Sequence, residues 1–157
     1  KPHLGVVRMD VLRQFVMADI PGLIEGASEG IGLGHAFLKH VSRCSVLIHV
    51  IDIVGADGIN PLAAYEQIHK ELRNYDVDLL SKPRVIVLNK MDLVGKQEST
   101  IATDELSVLL ANKYPDSVVQ KIIHTSTKDA TGIKELKEAL WEVIEAQRAL
   151  ENNNKAD

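Results

Sequence analysis

The chain has 157 residues and a formal net charge of −4, with 45% hydrophobic and 4% aromatic residues. These values are typical of one globular domain, and they disfavour bulk attraction to nucleic acid or anionic membranes and an RNA module that stacks bases. No apolar run approaches the roughly 20 residues that span a bilayer, no signal peptide opens the chain, and a single cysteine fits a reducing compartment, so we expect a soluble cytoplasmic domain.

The first part of the chain predicts a β-hairpin and a glycine-rich loop. Residues 4–10 and 14–20 form two runs rich in β-forming residues, joined by a short turn. Pro21 ends the second run. Residues 22–34 contain five glycines, which predicts a specially shaped or mobile loop.

From there on, segments with helical and strand patterns alternate. Apolar residues at helical spacing predict helices, and short apolar runs predict strands that are buried on both faces. In chain order we expect a helix at about 35–43, a strand at 46–53, a helix at 62–75, a strand at 84–88, a helix at 103–113, a strand at 121–125 and a helix from about 132. Residues 151–157 include three consecutive asparagines and have nothing to bury, so we expect a disordered tail.

This alternation predicts an α/β fold with a mostly parallel sheet and helices on both faces. Such sheets bind ligands at the carboxyl ends of their strands. Polar residues follow three of the predicted strands: Asp19 with Gly22, residues 89–92, and Ser126 with Thr127. We expect the three groups to converge at one edge of the sheet.

The strongest local signal is Asn89-Lys90-Met91-Asp92, directly after an apolar strand. Such a string arises by chance in only about a few per cent of chains of this length. The Asp92 carboxylate can accept from the ring N–H and the exocyclic amine of guanine together, a donor pair that adenine lacks. The Lys90 stem can lie along the base plane, and the Asn89 amide can tie neighbouring loops together. The structural alternative is a solvated polar turn.

Two weaker motifs gain meaning from that string. Asp19-Ile20-Pro21-Gly22 alone favours a β-turn, but Asp19 can also hold Mg²⁺ through a water, and the Gly22 N–H can approach a terminal phosphate. Backbone N–H groups of residues 125–127 can donate to a guanine carbonyl oxygen. The order and spacing of the three motifs together favour a nucleotide-binding domain.

With these motifs in place, the chain resembles the translation-factor-like GTPases, and more closely the Obg (CgtA) family. The resemblance runs from residue 4 to about 145 and is most specific over 18–40. In that stretch the residues match the family's switch II region nearly word for word: Ala18-Asp19-Ile20-Pro21-Gly22-Leu23-Ile24-Glu25-Gly26-Ala27-Ser28-Glu29-Gly30, then Gly32-Leu33-Gly34-His35 and Phe37-Leu38.

The resemblance implies a P-loop NTPase-like G domain over about residues 1–150. It further implies a GTPase that binds GTP and GDP with Mg²⁺, hydrolyses GTP to GDP and phosphate, and associates with the large ribosomal subunit during its assembly in the bacterial cytoplasm. The metal position is Asp19. The implied nucleotide contacts are Asp19, Ile20, Pro21, Gly22, Asn89, Lys90, Asp92, Ser126 and Thr127.

Three features depart from familiar GTPase patterns. The phosphate loop Gly-x-x-x-x-Gly-Lys-Ser/Thr does not occur in the chain, so we expect it and the first strand, which belongs between the strands ending at Asp19 and Ile53, to lie in an upstream segment that completes the fold. This chain alone is then expected to be inactive. Thr127 stands where the family usually has alanine, a change that backbone donation tolerates. Leu23 replaces the usual water-orienting glutamine, so no side chain is assigned as catalytic and slow intrinsic hydrolysis is expected.

Of two alternative functions, the first remains open to the sequence and the second fails for lack of its fingerprint. One is a non-catalytic binding module that folds with a partner segment. The other is a Rossmann oxidoreductase, but Gly30-Ile31-Gly32-Leu33-Gly34 lies about ten residues past a strand end instead of directly after it, which argues against that fold.

Overall fold

The computed structural model describes residues 3–19, 39–55 and 59–156. Within these ranges the strands form an antiparallel hairpin and a separate three-stranded parallel sheet. In chain order the elements are β1 (His3–Arg8), β2 (Gln14–Asp19), β3 (Leu47–Asp52), α1 (Pro61–Tyr75), β4 (Arg84–Asn89), α2 (Lys96–Lys113), β5 (Val119–His124) and α3 (Ile133–Ala156). The α/β fold predicted from the sequence is confirmed.

The hairpin of β1 and β2 is held by its turn and by a contact to α3. The Asp10 carboxylate accepts hydrogen bonds from the N–H groups of Leu12 and Arg13, which fixes the turn. The Arg13 guanidinium donates to Asp10 and also reaches Glu138 of α3 at 3.2 Å. The predicted hairpin is therefore confirmed, and its turn is tied to the last helix.

The parallel sheet has β4 at its centre, with β3 and β5 on either side. Five of the six β4 residues are buried, because both faces of this strand are covered. One face packs against α1 and α2 through Ile51, Tyr65, Ile86, Leu88 and Leu106. The opposite face packs against α3 and the hairpin through Phe15, Val85, Val87, Leu140 and Val143. The sheet is thus sandwiched between helical layers, as the alternating pattern predicts.

The first two helices begin at identifiable caps. At α1 the Asn60 side chain accepts from the Ala63 N–H at 2.9 Å, and Pro61 occupies the first turn. At α2 the Glu98 carboxylate accepts from the Gly95 N–H, so this helix begins at Lys96 and not near residue 103. The polar first turns of α2 carry no apolar stripe, which is why the hydrophobic spacing placed its start too late.

The last helix is longer than expected. It continues through Ala156, so residues 151–156, expected to belong to a disordered tail, are helical and exposed. Each added residue gains one backbone hydrogen bond on a helix that already exists, and this gain needs no burial. The domain limit near residue 150 stays a prediction.

Other expectations fall partly outside the described residues. Of the helix expected over 35–43, only residues 39–43 are described: 39–41 are helical, and 42 and 43 form a turn. The glycine-rich loop 22–34 lies outside the described residues. The placement of a further strand between β2 and β3 also stays a prediction. In the parts of the chain that the structure describes, no helix has the length and apolar character to cross a membrane.

Candidate functional site

Three strand ends bring polar residues together at the carboxyl edge of the parallel sheet. Asp52 ends β3 and Asn89 ends β4, and the two are register partners. Beyond β5, the Thr125 N–H donates to the Leu88 carbonyl at 2.9 Å, which carries Ser126 to the same edge. The polar residues predicted at β4 and β5 therefore lie in contact.

Asp92 presents its carboxylate at this edge. Its residue is exposed, while the neighbouring Ser126 is fully buried and donates from Oγ to Asp92 Oδ1 at 2.8 Å. A carboxylate has about four lone-pair sites on its two oxygens. One bond from Ser126 therefore orients the group and leaves both oxygens able to accept from a ligand.

Asn89 links the ends of all three strands. Thr125, only 1% exposed, donates from Oγ1 to Asn89 Oδ1 at 2.9 Å. The Asn89 carbonyl accepts from the Ile53 N–H at 3.0 Å, and the Met91 N–H donates to the Thr125 carbonyl at 3.1 Å. These contacts fix the backbone of the motif before any ligand arrives.

Lys90 has an unusual backbone conformation and a defined side-chain partner. Its φ of 69° and ψ of 35° lie in the left-handed region, which is unfavourable for a residue with a side chain. Its Nζ lies 2.8 Å from Asp52 Oδ2. This hydrogen-bonded ion pair holds the pKa of the Asp52 carboxyl below its ordinary value and raises the pKa of Lys90.

Asp52 is a site residue that the motifs do not reveal. Its one sequence signal is an acidic residue that closes an apolar strand, the same position that Asn89 holds in β4. Asp52 and Lys90 are far apart in sequence. The pairing of β3 with β4 brings them side by side in space.

The loop after β5 is closed by a hydrogen bond within the loop, and this bond contradicts one expectation. The Ser126 N–H donates to the Thr131 carbonyl at 3.0 Å, so it is not available to a guanine carbonyl oxygen. The Thr125 N–H is likewise bonded to Leu88. Of the three N–H groups considered for that role, the one at Thr127, an exposed residue, is left.

Gly132 closes this loop and cannot be replaced without strain. Its φ is 75°, and a Cβ at this position would lie 1.9 Å from the His124 carbonyl oxygen. Asp129 supports the same turn, because its carboxylate accepts from the Thr131 N–H at 3.0 Å. Hydrogen bonds from Thr131 hold the pKa of Asp129 below its ordinary value. The loop that carries Ser126 and Thr127 is thus built around a glycine and an aspartate.

The phosphate-side residues predicted from the sequence lie outside the described part of the chain. Asp19 is described only as the last backbone residue of β2, and Ile20, Pro21, Gly22 and Leu23 are not described. Within the described ranges, no group of three or more histidine, cysteine or acidic residues is arranged to hold a metal ion. The magnesium assignment to Asp19 therefore stays a prediction.

Comparison with known sequences identifies relatives over most of the chain. The family described as 50S ribosome-binding GTPase matches residues 1–90. The GTPase Obg of Oceanobacillus iheyensis is 43% identical over 144 residues, which cover 92% of this chain and 32% of that protein. The GTPase Obg of Staphylococcus saprophyticus is 45% identical over 151 residues, which cover 96% of this chain and 33% of that protein. The chain thus spans about a third of the length of the curated relatives it matches.

Comparison with solved structures supports the fold. An Era variant from Aquifex aeolicus, bound to GDP·AlF4−, superimposes with a TM-score of 0.65 at 18% identity. The match covers 90% of this chain and 44% of that one. At this identity the likeness establishes the GTPase fold alone. Together with the sequence relatives and the family match, it shows that the chain belongs to the Obg family of GTPases.

Proposed function

We propose that the intact protein containing this chain binds GTP and GDP at the carboxyl edge of the parallel sheet and hydrolyses GTP to GDP and phosphate. This chain supplies recognition of the guanine base. The observation that carries the proposal is the Asp92 carboxylate, exposed at the strand end and oriented by Ser126 at 2.8 Å.

The chemistry of this edge suits guanine. The two oxygens of Asp92 accept from the ring N–H and the exocyclic amine, a charge-assisted pair of hydrogen bonds. The Thr127 N–H donates to the guanine carbonyl oxygen, and the Lys90 stem lies along the base plane. Adenine offers no such donor pair and leaves the carboxylate unpaired, so the site discriminates against ATP.

The phosphate side of the proposal rests on residues 19–22 and on the family. Asp19 would hold Mg²⁺ through a water, and the Gly22 N–H would donate to the terminal phosphate, with Ile20 and Pro21 as further nucleotide contacts. Bound Mg²⁺ would neutralise charge on the phosphate oxygens. The glycine-rich segment 22–34 acts as switch II and changes conformation with the state of the nucleotide.

The reaction is expected to be slow without a partner. Leu23 follows the Asp-x-x-Gly string where many small GTPases keep a glutamine, and an aliphatic side chain cannot orient water by hydrogen bonding. Single-turnover measurement of phosphate release from the full-length protein tests this. Fast unstimulated turnover in the wild type contradicts the proposal, whereas a faster Leu23→Gln variant remains compatible with it.

The direct test of base recognition is Asp92→Asn in the full-length protein. The amide can donate to the carbonyl that replaces the amine in xanthine, so preference should shift from guanine to xanthine nucleotides. GDP affinity should fall by about 10²–10⁴-fold, since two hydrogen bonds to a charged group are lost. Equilibrium titration with GDP and xanthosine diphosphate measures both effects.

A matched control removes the same charge elsewhere. Asp104 is exposed on α2, so Asp104→Asn should leave both affinities unchanged. Unchanged guanine preference in Asp92→Asn removes Asp92 from the site and with it the main support for the proposal.

The cellular role proposed for the intact protein is assembly of the large ribosomal subunit in the cytoplasm. Support comes from the family whose description names 50S ribosome binding and from the Obg relatives. Sedimentation of the full-length protein with purified large subunits should show co-migration that differs between a non-hydrolysable GTP analogue and GDP. Equal or absent co-migration in both states argues against this role.

We also propose that an upstream segment of the same polypeptide completes the domain and that this chain alone is inactive. The hairpin and the parallel sheet share no strand ladder within the described residues, and the relatives are about three times as long as the chain. The chain should therefore bind GTP weakly and release no phosphate. Nanomolar GTP affinity from residues 1–157 would contradict this.

A further inference from the structure

We propose that Asp52 is a positioning residue for the base site: its carboxylate holds the Lys90 ammonium and thereby fixes the lysine stem that forms one wall of the pocket. This inference rests on the proposed function, because the Lys90 stem borders a base only if the nucleotide binds at this edge.

Contacts other than the one to Lys90 hold Asp52 in place. Its Oδ1 accepts from the Val54 N–H at 2.9 Å, and its backbone carbonyl accepts from the Gly55 N–H at 3.1 Å. Its Oδ2 lies 2.8 Å from Lys90 Nζ. The aspartate side chain is 17% exposed and the lysine side chain 51%, so the less accessible partner anchors the more accessible one.

Lys90 is a side chain that benefits from such an anchor. An unrestrained lysine samples many rotamers, and a ligand that packs on its stem has to order them. An anchored stem is ordered before the ligand arrives, which reduces the entropy lost on binding. The left-handed backbone at Lys90 directs the start of the side chain, and Asp52 fixes its far end.

The same logic applies to the whole motif. Each of its three polar residues has one side-chain partner from a neighbouring strand end: Asp52 holds Lys90, Thr125 holds Asn89, and Ser126 holds Asp92. Two of these partners follow β5, and Asp52 ends β3 on the opposite side of β4. The motif is therefore held by side chains from both neighbouring strands, and Asp52 is the residue that holds it from the β3 side.

The test measures nucleotide release from the full-length protein. Asp52→Asn keeps the acceptor for the Val54 N–H but removes the charge that attracts Lys90. GDP dissociation, followed by displacement of a fluorescent GDP, should become roughly fivefold faster, as expected for loss of a partly exposed ion pair. The preference for guanine over xanthine nucleotides should not change, because Asp92 is untouched.

A matched control distinguishes the ion pair of Asp52 with Lys90 from its hydrogen bond to the Val54 N–H. Asp76 makes the same contact to the N–H two residues ahead, at 3.0 Å from Asp78, but forms no ion pair with a lysine in the described residues. Asp76→Asn should therefore leave GDP release unchanged. An equal acceleration in both variants would show that turn stability, and not the anchoring of Lys90, sets the rate.

A double-mutant cycle with Lys90→Met decides whether Asp52 acts through Lys90. In the Lys90→Met background, Asp52→Asn should add no further acceleration. Additive effects, or wild-type release in Asp52→Asn, overturn the inference while leaving base recognition by Asp92 intact. Failure of the wild-type protein to bind GDP at this edge overturns the proposed function and this inference together.

Discussion

Two parts of the parallel sheet bury polar side chains in opposite ways. At the carboxyl edge, the buried hydroxyls of Thr125 and Ser126 each donate to a side chain of the Asn-Lys-x-Asp motif. On the face covered by α1 and α2, the histidine–arginine cluster (His49, His69 and Arg84) is also buried. In that cluster His49 Nδ1, His69 Nδ1 and two guanidinium nitrogens of Arg84 have no hydrogen-bond partner among the described residues.

Aromatic rings hold the histidine–arginine cluster together. His49 stacks on Tyr65 with ring centroids 5.5 Å apart, and the Arg84 guanidinium lies 5.7 Å from the same ring. His69 packs against Tyr114 at 4.2 Å. Burial, followed by the charge of Arg84, lowers the pKa of His49 to about 3 and that of His69 to about 4. Both histidines are therefore neutral in the folded protein at neutral pH.

The difference teaches that buried polar groups at the carboxyl edge are arranged to orient other polar groups, whereas the two histidines of the cluster are tolerated because they stay uncharged. Directional hydrogen bonds fix the position of a side chain to within narrow limits. Ring packing fixes it less strictly but excludes water. Disturbing the first region should alter the geometry of the Asn-Lys-x-Asp motif as well as stability, and charging the histidines of the second should alter stability.

The largest expected effect is acid destabilisation through the cluster. The folded pKa values of His49 and His69 lie below their ordinary value of 6.5, so the unfolded chain binds more protons as the pH falls below 6.5 and stability declines. At pH 5 the two histidines together should cost about 4 kcal/mol. Denaturant titrations at pH 7, 6 and 5 measure this slope.

The interval from pH 6.5 to 5 isolates the histidines from the acidic groups. The carboxyl groups with lowered pKa, such as Asp52 and Glu66, have ordinary values of 3.8 and 4.5 and weaken the fold only at lower pH. His69→Gln should remove about half of the slope in this interval. A free energy of unfolding that stays constant between pH 7 and 5 would show that the cluster is not buried and neutral.

The next largest effect is expected at the loop of the carboxyl edge. Gly132→Ala places a Cβ against the His124 carbonyl at a left-handed position, which should destabilise the fold by about 2–4 kcal/mol. Gly5→Ala is the matched control, because nothing lies within 4 Å of the added Cβ. Equal stability of the two variants, measured by thermal unfolding, would mean that the loop relaxes freely and does not hold Ser126 in place.

The smallest expected effect is the loss of stability when a single hydrogen bond at the carboxyl edge is removed. Thr125→Val keeps the volume but removes the donor to Asn89, which should cost about 1 kcal/mol of stability and loosen the motif. Thr100→Val, at an exposed helix position where the hydroxyl donates to the Lys96 carbonyl, should change stability by less than about 0.5 kcal/mol. Equal stability of the two variants in denaturant titration would mean that the hydrogen bond to Asn89 contributes no more to stability than the one on the helix surface.

The sequence was sufficient to predict the elements whose signals are local. Apolar runs located β3 and β4, and two runs rich in β-forming residues joined by a short turn located the hairpin. The family resemblance led to the GTPase family, and the Asn-Lys-x-Asp string led to the polar residues that meet at the carboxyl edge of the sheet. These features are encoded within a few consecutive residues.

What the sequence did not reveal depends on contacts between distant segments. The anchor at Asp52 exists only because β3 and β4 pair in one register, and the engagement of the Ser126 N–H depends on a turn that returns to Thr131. The early start of α2 depends on one carboxylate that reaches back to Gly95. Periodicity does not register such single contacts, since they leave no repeating pattern.

The position of α3 connects the loop after β5 to a distant part of the molecule. The helix starts one residue after Gly132, directly beyond the loop that carries Ser126, and its 24 residues extend about 36 Å. A tilt of only about 5° at this root sweeps the distal end through about 3 Å, a displacement set by that length. The helix is thus a lever arm rooted beside the loop that carries Ser126 and Thr127, so a small rearrangement of that loop becomes a large displacement at the distal end.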